Sequence, residues 1–305
     1  DGEHLGELVR KADTALYHAK SLERGIFTIY KEEMGAQPKD RLHLENKMRM
    51  ALANNEFVVH YQPKVNINTG ALFGAEALVR WNDPNEGMVY PDKFIPLAEE
   101  NGFIIHIGDW ILEEVCKQIK KWREDGNILD CISVNLSGRQ FSKPNLASDV
   151  LALIEKYEIP ASSLELEITE SFLATSENAM IETLGILSNN GVRLSLDDFG
   201  TGYSSLSYLD RLPLNIMKID RSFISKIGKE DGERAEKLAK AIIAIAKSLN
   251  LEIVAEGVED KVQLEFLKAN DCHCMQGYFY SKPVSSSDFE KLLKERKNLY
   301  TDYYN

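Results

Sequence analysis

Asp197 and Asp198 stand side by side at the end of an apolar run, Leu194-Ser195-Leu196, and lead at once into a glycine-rich stretch, Phe199-Gly200-Thr201-Gly202. Two carboxylates about 4 Å apart repel by roughly 4 kcal/mol at an effective dielectric near 20, so such a pair in a pocket calls for a cation. At a surface the same pair needs only water, with Asp198 capping the next helix. Four further oxygen-bearing side chains, Glu76, Asn135, Glu167 and Glu256, fall late in four other apolar segments. A set of oxygen donors without Cys or His suits Mg2+ or Mn2+ rather than zinc, and an adjacent acid pair can bridge two ions, as two-metal hydrolysis of phosphate esters requires. Each acid alone is an ordinary surface or cap residue; the six together point to a metal site.

Those residues act together only if a fold converges them. From Glu56 onward short apolar segments alternate with helical patterns, the sign of parallel strands joined by crossover helices. Eight strands are predicted, at 57–65, 73–81, 131–136, 164–169, 193–199, 216–220, 252–257 and 275–280. Helices are predicted at 91–101, 109–125, 146–157, 177–189, 204–209, 232–249, 261–269 and 286–295. The fold class is therefore α/β, a TIM-like (β/α)8 barrel. The two-residue period of a strand sorts the faces: Leu164, Leu166 and Ile168 oppose Glu165, Glu167 and Thr169, and Leu194 and Leu196 oppose Ser195 and Asp197. The apolar sets face helices, and the polar sets face the barrel interior with their acids near the mouth where barrel active sites are built. Glu76 shares a face with Arg80, and Lys218 with Asp220; Lys218 and Asp220 could form a structural ion pair or serve the site.

Composition bounds the rest. Hydrophobic residues make up 44% and charged residues 28% of the 305, enough for a core and unlike a disordered chain. A net charge of −12 argues against a general nucleic-acid binder. No apolar run is long enough to span a membrane, and Cys116, Cys131, Cys272 and Cys274 form no paired framework, so a reducing, cytoplasmic setting is expected. The chain begins at Asp1 without a methionine, which fits the loss of upstream segments. Ahead of the barrel, a helix is predicted at 8–21, a strand at 26–30 and a second helix at 39–54. The stretch Asp198 to Ser205 must be weighed as a dinucleotide loop, but two acids before it would repel a pyrophosphate and Ser205 replaces the final glycine. Cys272-His273-Cys274 has spacings too short for a zinc knuckle. Arg139, Lys64 and Lys282 are candidate phosphate contacts or solvated surface charges.

With those residues in hand, the chain from about Leu42 to Leu293 resembles an EAL domain, the family of bacterial phosphodiesterases that open cyclic di-GMP. Glu76-Ala77-Leu78-Val79-Arg80 matches the name-giving motif. Tyr61-Gln62-Pro63, Val134 to Ser137, Glu167 to Glu170, Asp197 to Leu206, Lys218 to Asp220, Ala255 to Glu259 and Gln276 to Tyr278 follow in family order. The resemblance implies one metal on Glu76, Asn135, Glu167 and Asp197 and a second on Asp197, Asp198 and Glu256. It makes Lys218 the residue that orients or deprotonates the attacking water, with Asp220 placing it, and Gln62, Arg80, Asp220 and Gln276 contacts near the substrate. Glu170 and Glu259 resemble supports of the loop from Asp198 to Ser207. A first strand antiparallel to the others and a homodimer are further implications. The rival reading is a receptor that binds cyclic di-GMP without cleaving it; retention of every matched residue favours the enzyme. Residues 12–20 and 27–30 resemble the last helix and strand of a GGDEF (diguanylate cyclase) domain without its catalytic loop. The expected division is a GGDEF remnant at 1–34, a linker and connecting helix at 35–54, the barrel at 55–298 and a tail at 299–305.

Overall fold

A computed structural model describes residues 4–22, 27, 29–30, 44–170, 178–200, 209, 211–230, 232–295 and 298–300. Among the described residues ten strands form one sheet: β1 (Phe57–Asn66), β2 (Leu72–Asp83), β3 (Gly87–Val89), β4 (Cys131–Leu136), β5 (Leu164–Thr169), β6 (Arg193–Phe199), β7 (Ile216–Ile219), β8 (Glu252–Ala255), β9 (Cys274–Gln276) and β10 (Val284–Ser285). Its order is β10-β1-β9-β8-β7-β6-β5-β4-β2-β3, and β1 also pairs with β2, so eight strands close into a barrel with β3 and β10 as appendages. Strands β2 and β4 to β9 run parallel in sequence around it, while β1 is antiparallel to both of its barrel neighbours. The predicted barrel and its reversed first strand are both observed.

The alternation expected from sequence holds. Leu164, Leu166 and Ile168 pack outward against the helical layer, while Glu165 and Glu167 on the other face of β5 are also buried, inside the barrel. The helix Ile104–Glu124 supplies a matching stripe, Ile107, Ile111, Leu112, Val115, Ile119 and Trp122, at spacings of three and four. Gly74 lets β2 lie close to β4, because a Cβ there would meet the Cys131 carbonyl oxygen at 2.6 Å.

Several predicted ends move. The fourth helix, expected from 109, begins at Ile104. Strand β7 stops at Ile219 because Asp220 turns to cap a helix, its carboxylate accepting from the Ser222 amide at 3.0 Å. Strand β9 ends at Gln276, where the chain folds back so that the Phe279 amide donates to the Val258 carbonyl at 2.9 Å. Neither β3 nor β10 is anticipated by periodicity, being three and two residues long. The helix Leu5–Leu22 is present, but Phe27, Ile29 and Tyr30 lie in no strand; Phe27 and Ile29 are 88% and 76% exposed, with no neighbouring strand among the described residues. Of the helix expected at 39–54, residues 44–53 are described and helical. The helix expected at 204–209 and most of the loop after Asp198 lie outside the described residues.

Candidate active site

At the C-terminal mouth of the barrel, Lys218 on β7 points inward and is fully buried. Its Nζ lies 2.5 Å from Glu167 Oε2, 2.6 Å from Glu256 Oε1, 3.2 Å from Asp197 Oδ2 and 3.7 Å from Glu76 Oε2. One ammonium thus gathers carboxylates from β2, β5, β6 and the residue after β8. Glu76 is held from two more sides, with Asn135 Nδ2 donating to its Oε1 at 2.6 Å and Gln276 Nε2 donating to its Oε2 at 2.5 Å. Gln276 also donates to Gln62 Oε1 at 3.0 Å. Five of the residues assigned from sequence to the metals, together with Gln62, Gln276 and Lys218, therefore form one contact network.

Asp198 joins it by a local device. Strand alternation alone would turn Asp197 and Asp198 to opposite faces. The register of β6 against β7 shifts between Leu196 and Phe199, and Asp198 adopts φ of 56°, the left-handed region that Asp tolerates better than most residues. The Asp198 amide donates to Asp197 Oδ1 at 2.9 Å, and carboxylate oxygens of Asp197, Asp198 and Glu256 all come within 4.8 Å of one another.

The electrostatics follow from burial. Burial raises the Glu76 and Asp197 carboxyls above their ordinary values against the pull of Lys218, with Glu167 adding repulsion in both cases. Glu256 is pushed well up by burial and by Asp197 and Glu76. Asp198 is pushed up to about 6 by burial and then by Asp197 and Asp220. Glu167 goes the other way: burial would raise it, but Lys218 and Lys64 together hold it at about 2. Lys218 is raised well above the ordinary lysine value, since Asp197, Glu167, Glu256 and Glu76 outweigh the cost of burying its charge. The site is short of positive charge, and an oxygen-seeking divalent cation would supply it. Asp197, Asp198 and Glu256, with Glu76, Asn135 and Glu167 beside them, are a donor set of that hard, all-oxygen kind.

The remaining predicted residues sit around this centre. Arg80 is buried, its guanidinium donating to the Val79 carbonyl at 2.8 Å and lying 5.6 Å from the Tyr90 ring. Glu170 is buried and accepts from the Gly200 amide at 2.7 Å, on the loop that follows Asp198. Asp220 caps the next helix and forms no ion pair with Lys218. Glu259 pairs with Arg221 at 2.7 Å on the surface. A groove of about 300 Å3 opens beside Asn135, lined by Leu78, Ile95, Val134, Ser137 and Gln140 among others. Arg139 is exposed and donates to the Glu100 carbonyl at 3.3 Å, and Lys282 lies 5.4 Å from the Tyr278 ring. Lys64 departs from both of its expected settings: it is neither solvated nor at the mouth but buried inside the barrel against Glu165 and Glu167. The missed signal was parity, because Lys64 lies two residues from Gln62 on the same face of β1.

The sequence profile described as the EAL domain matches residues 45–283. The bifunctional diguanylate cyclase/cyclic di-GMP phosphodiesterase MucR of Pseudomonas aeruginosa is 42% identical over 284 residues, covering 93% of this chain and 41% of the relative. The signaling protein YkoW of Bacillus subtilis is 39% identical over 296 residues, 97% of this chain and 37% of the relative. The chain thus spans about two fifths of the length of these relatives. Among solved structures, a PaMucR phosphodiesterase in complex with c-di-GMP superposes with a TM-score of 0.78 at 42% identity, covering 81% of this chain and 99% of that one. The EAL enzyme Bd1971 bound to cAMP and cyclic di-GMP superposes with a TM-score of 0.80 at 32% identity, over 94% of this chain and 79% of that one.

Proposed function

Since the chain belongs to the EAL-domain family, we propose that it is a metal-dependent phosphodiesterase that hydrolyses cyclic di-GMP to linear pGpG. The observation that carries this reading is the convergence of Asp197, Asp198 and Glu256 within 4.8 Å, beside Glu76 and Lys218. A receptor that only binds the ligand has no need of so costly a gathering of buried acids. Two Mg2+ or Mn2+ ions, one on Glu76, Asn135, Glu167 and Asp197 and one on Asp197, Asp198 and Glu256, would supply Lewis acidity and a nucleophilic water at neutral pH.

In the overall reaction water adds across the bond between phosphorus and the sugar 3′ oxygen; the phosphate gains the hydroxyl and the 3′ oxygen leaves with a proton. Without metal the four carboxylates around Lys218 hold it well above the ordinary lysine value, and in this reading Lys218 helps to orient or deprotonate the attacking water while holding the carboxylates in place. Gln276 and Asn135 fix Glu76. Gln62, Arg80, Asp220 and Gln276 are the substrate contacts of this reading, with Glu170 and Glu259 supporting the loop after Asp198.

The test is a product chromatogram after incubation with cyclic di-GMP, with Mg2+, with Mn2+ and with chelator. Linear product only with metal is expected; undiminished cleavage in chelator sinks the metal requirement. Tight binding without product in any condition transfers the case to the receptor reading.

We also read residues 1–34 as a GGDEF remnant, supported by a match to MucR that runs over 284 residues where the EAL profile covers 45–283. A homodimer is proposed from the family resemblance. Cytoplasmic placement is supported by four free cysteines, and no helix among the described residues is long and apolar enough to cross a membrane.

A further inference from the structure

The barrel interior holds a second ammonium that the proposed chemistry does not use. Lys64 is fully buried on β1, yet its side chain crosses the lumen to β5, three positions round the barrel beyond β2 and β4. Its Nζ lies 3.0 Å from Glu165 Oε1 and 3.0 Å from Glu167 Oε1. Glu167 is therefore gripped at both oxygens, Oε1 by Lys64 and Oε2 by Lys218. Glu165 and Glu167 are two residues apart on one strand face, about 7 Å along β5, which sets Lys64 one layer below Lys218 in the barrel. Below the pair, the Cys131 thiol, kept neutral by burial, donates to Glu165 Oε2 at 3.2 Å.

We propose that Lys64 is a positioning residue of this site: with Glu165 as its counter-charge, it holds Glu167 in the orientation that presents Oε2 to the acid cluster and to the divalent ion that the cluster takes. The inference rests on the phosphodiesterase reading above. Two arguments support it. Stability alone does not account for Lys64 and Glu165, because a buried ion pair replaced by apolar side chains of similar volume is often neutral or stabilising. Nor does field strength, since the pair carries no net charge and adds little attraction for a cation. What the pair does supply is geometry, and groups that orient metal-binding side chains from behind typically matter by about 10–100-fold in metal affinity or activity.

Lys64→Met and the charge-neutral pair Lys64→Met/Glu165→Met, both in the full chain, test this. Thermal melting, Mn2+ titration by calorimetry without substrate, and steady-state kinetics are measured on each. Lys64→Met alone is expected to melt lower, because Glu165 is left buried without its cation. The double variant recovers the melting temperature but still binds Mn2+ about 10–100-fold more weakly, with a loss of kcat in the same range and a smaller change in KM. The single variant adds a sign: on charge alone, deleting a cation beside Glu167 would tighten Mn2+ binding, whereas lost positioning weakens it. Tighter or unchanged Mn2+ binding in whichever variant folds overturns the proposal and leaves Lys64 a structural residue. If the unmodified chain binds Mn2+ but does not hydrolyse cyclic di-GMP, the function fails while the affinity ratio still decides Lys64; if it binds no Mn2+, both fail.

Discussion

Lys218→Ala separates chemistry from scaffolding at the centre of the site. The substitution removes an ammonium that touches Glu76, Glu167, Asp197 and Glu256 within 3.7 Å and leaves Glu167 with Lys64 as its cation. Removing one partner of a buried ion pair costs about 3–5 kcal/mol, and the lower end applies here because three of these acids already hold protons more tightly than usual and can neutralise themselves. In chelator, a melting temperature lower by on the order of 5–10 °C is expected. Added Mn2+ should restore part of it and stabilise the variant more than the unmodified chain, since a divalent ion replaces the missing charge. Turnover should fall by about 10²–10⁴-fold, the usual worth of a positioned hydrogen-bonding or proton-handling group, while affinity for cyclic di-GMP, measured with Ca2+ or under conditions without turnover, changes far less. Melting curves, isothermal titration and initial rates on one preparation decide it. A variant that loses stability and substrate affinity together yet keeps kcat within a few-fold refutes the reasoning, and water activation would then belong to the metals alone.

Two other perturbations test the surroundings. Asp198 has its carboxyl raised from an ordinary 3.8 to about 6, so the folded chain binds that proton more tightly than the unfolded one, and the stability it contributes at low pH is lost as pH climbs through about 4 to 6. Without divalent ion, Asp198→Asn should therefore melt above the unmodified chain at pH 7, by no more than a few degrees for a half-buried group, and the gap should close by pH 4; a constant gap across that range contradicts the assignment. Glu170→Ala removes the acceptor of the Gly200 amide, a charge-assisted bond worth about 1.5–3 kcal/mol, so exchange at that amide should quicken by roughly 10–100-fold while Mn2+ affinity holds. Unchanged exchange with normal turnover would count against a loop-supporting role.

The sequence by itself determined what depends on near neighbours. Alternation along Leu164–Thr169 and Arg193–Phe199 was enough to turn Glu165, Glu167 and Asp197 away from the helices, because side-chain direction in a strand is a local property. Eight such segments with intervening helices were enough for a barrel, and the ordered motifs were enough for the EAL resemblance. Only the tertiary structure decided which interior residues meet. Lys64 and Glu165 are 101 positions apart, and nothing in either strand's pattern states that β1 and β5 exchange charges across the lumen. The shared face that suggested a Lys218–Asp220 pair was undone by a helix start, where the Asp220 carboxylate is drawn to a free backbone amide. Asp197 and Asp198 could not have been brought to one side by periodicity at all; a left-handed residue and a shifted register against β7 do that. Barrel closure is the common physical cause: it forces side chains from distant strands into one narrow interior, where burial makes an unpaired charge costly and the partners found define the site.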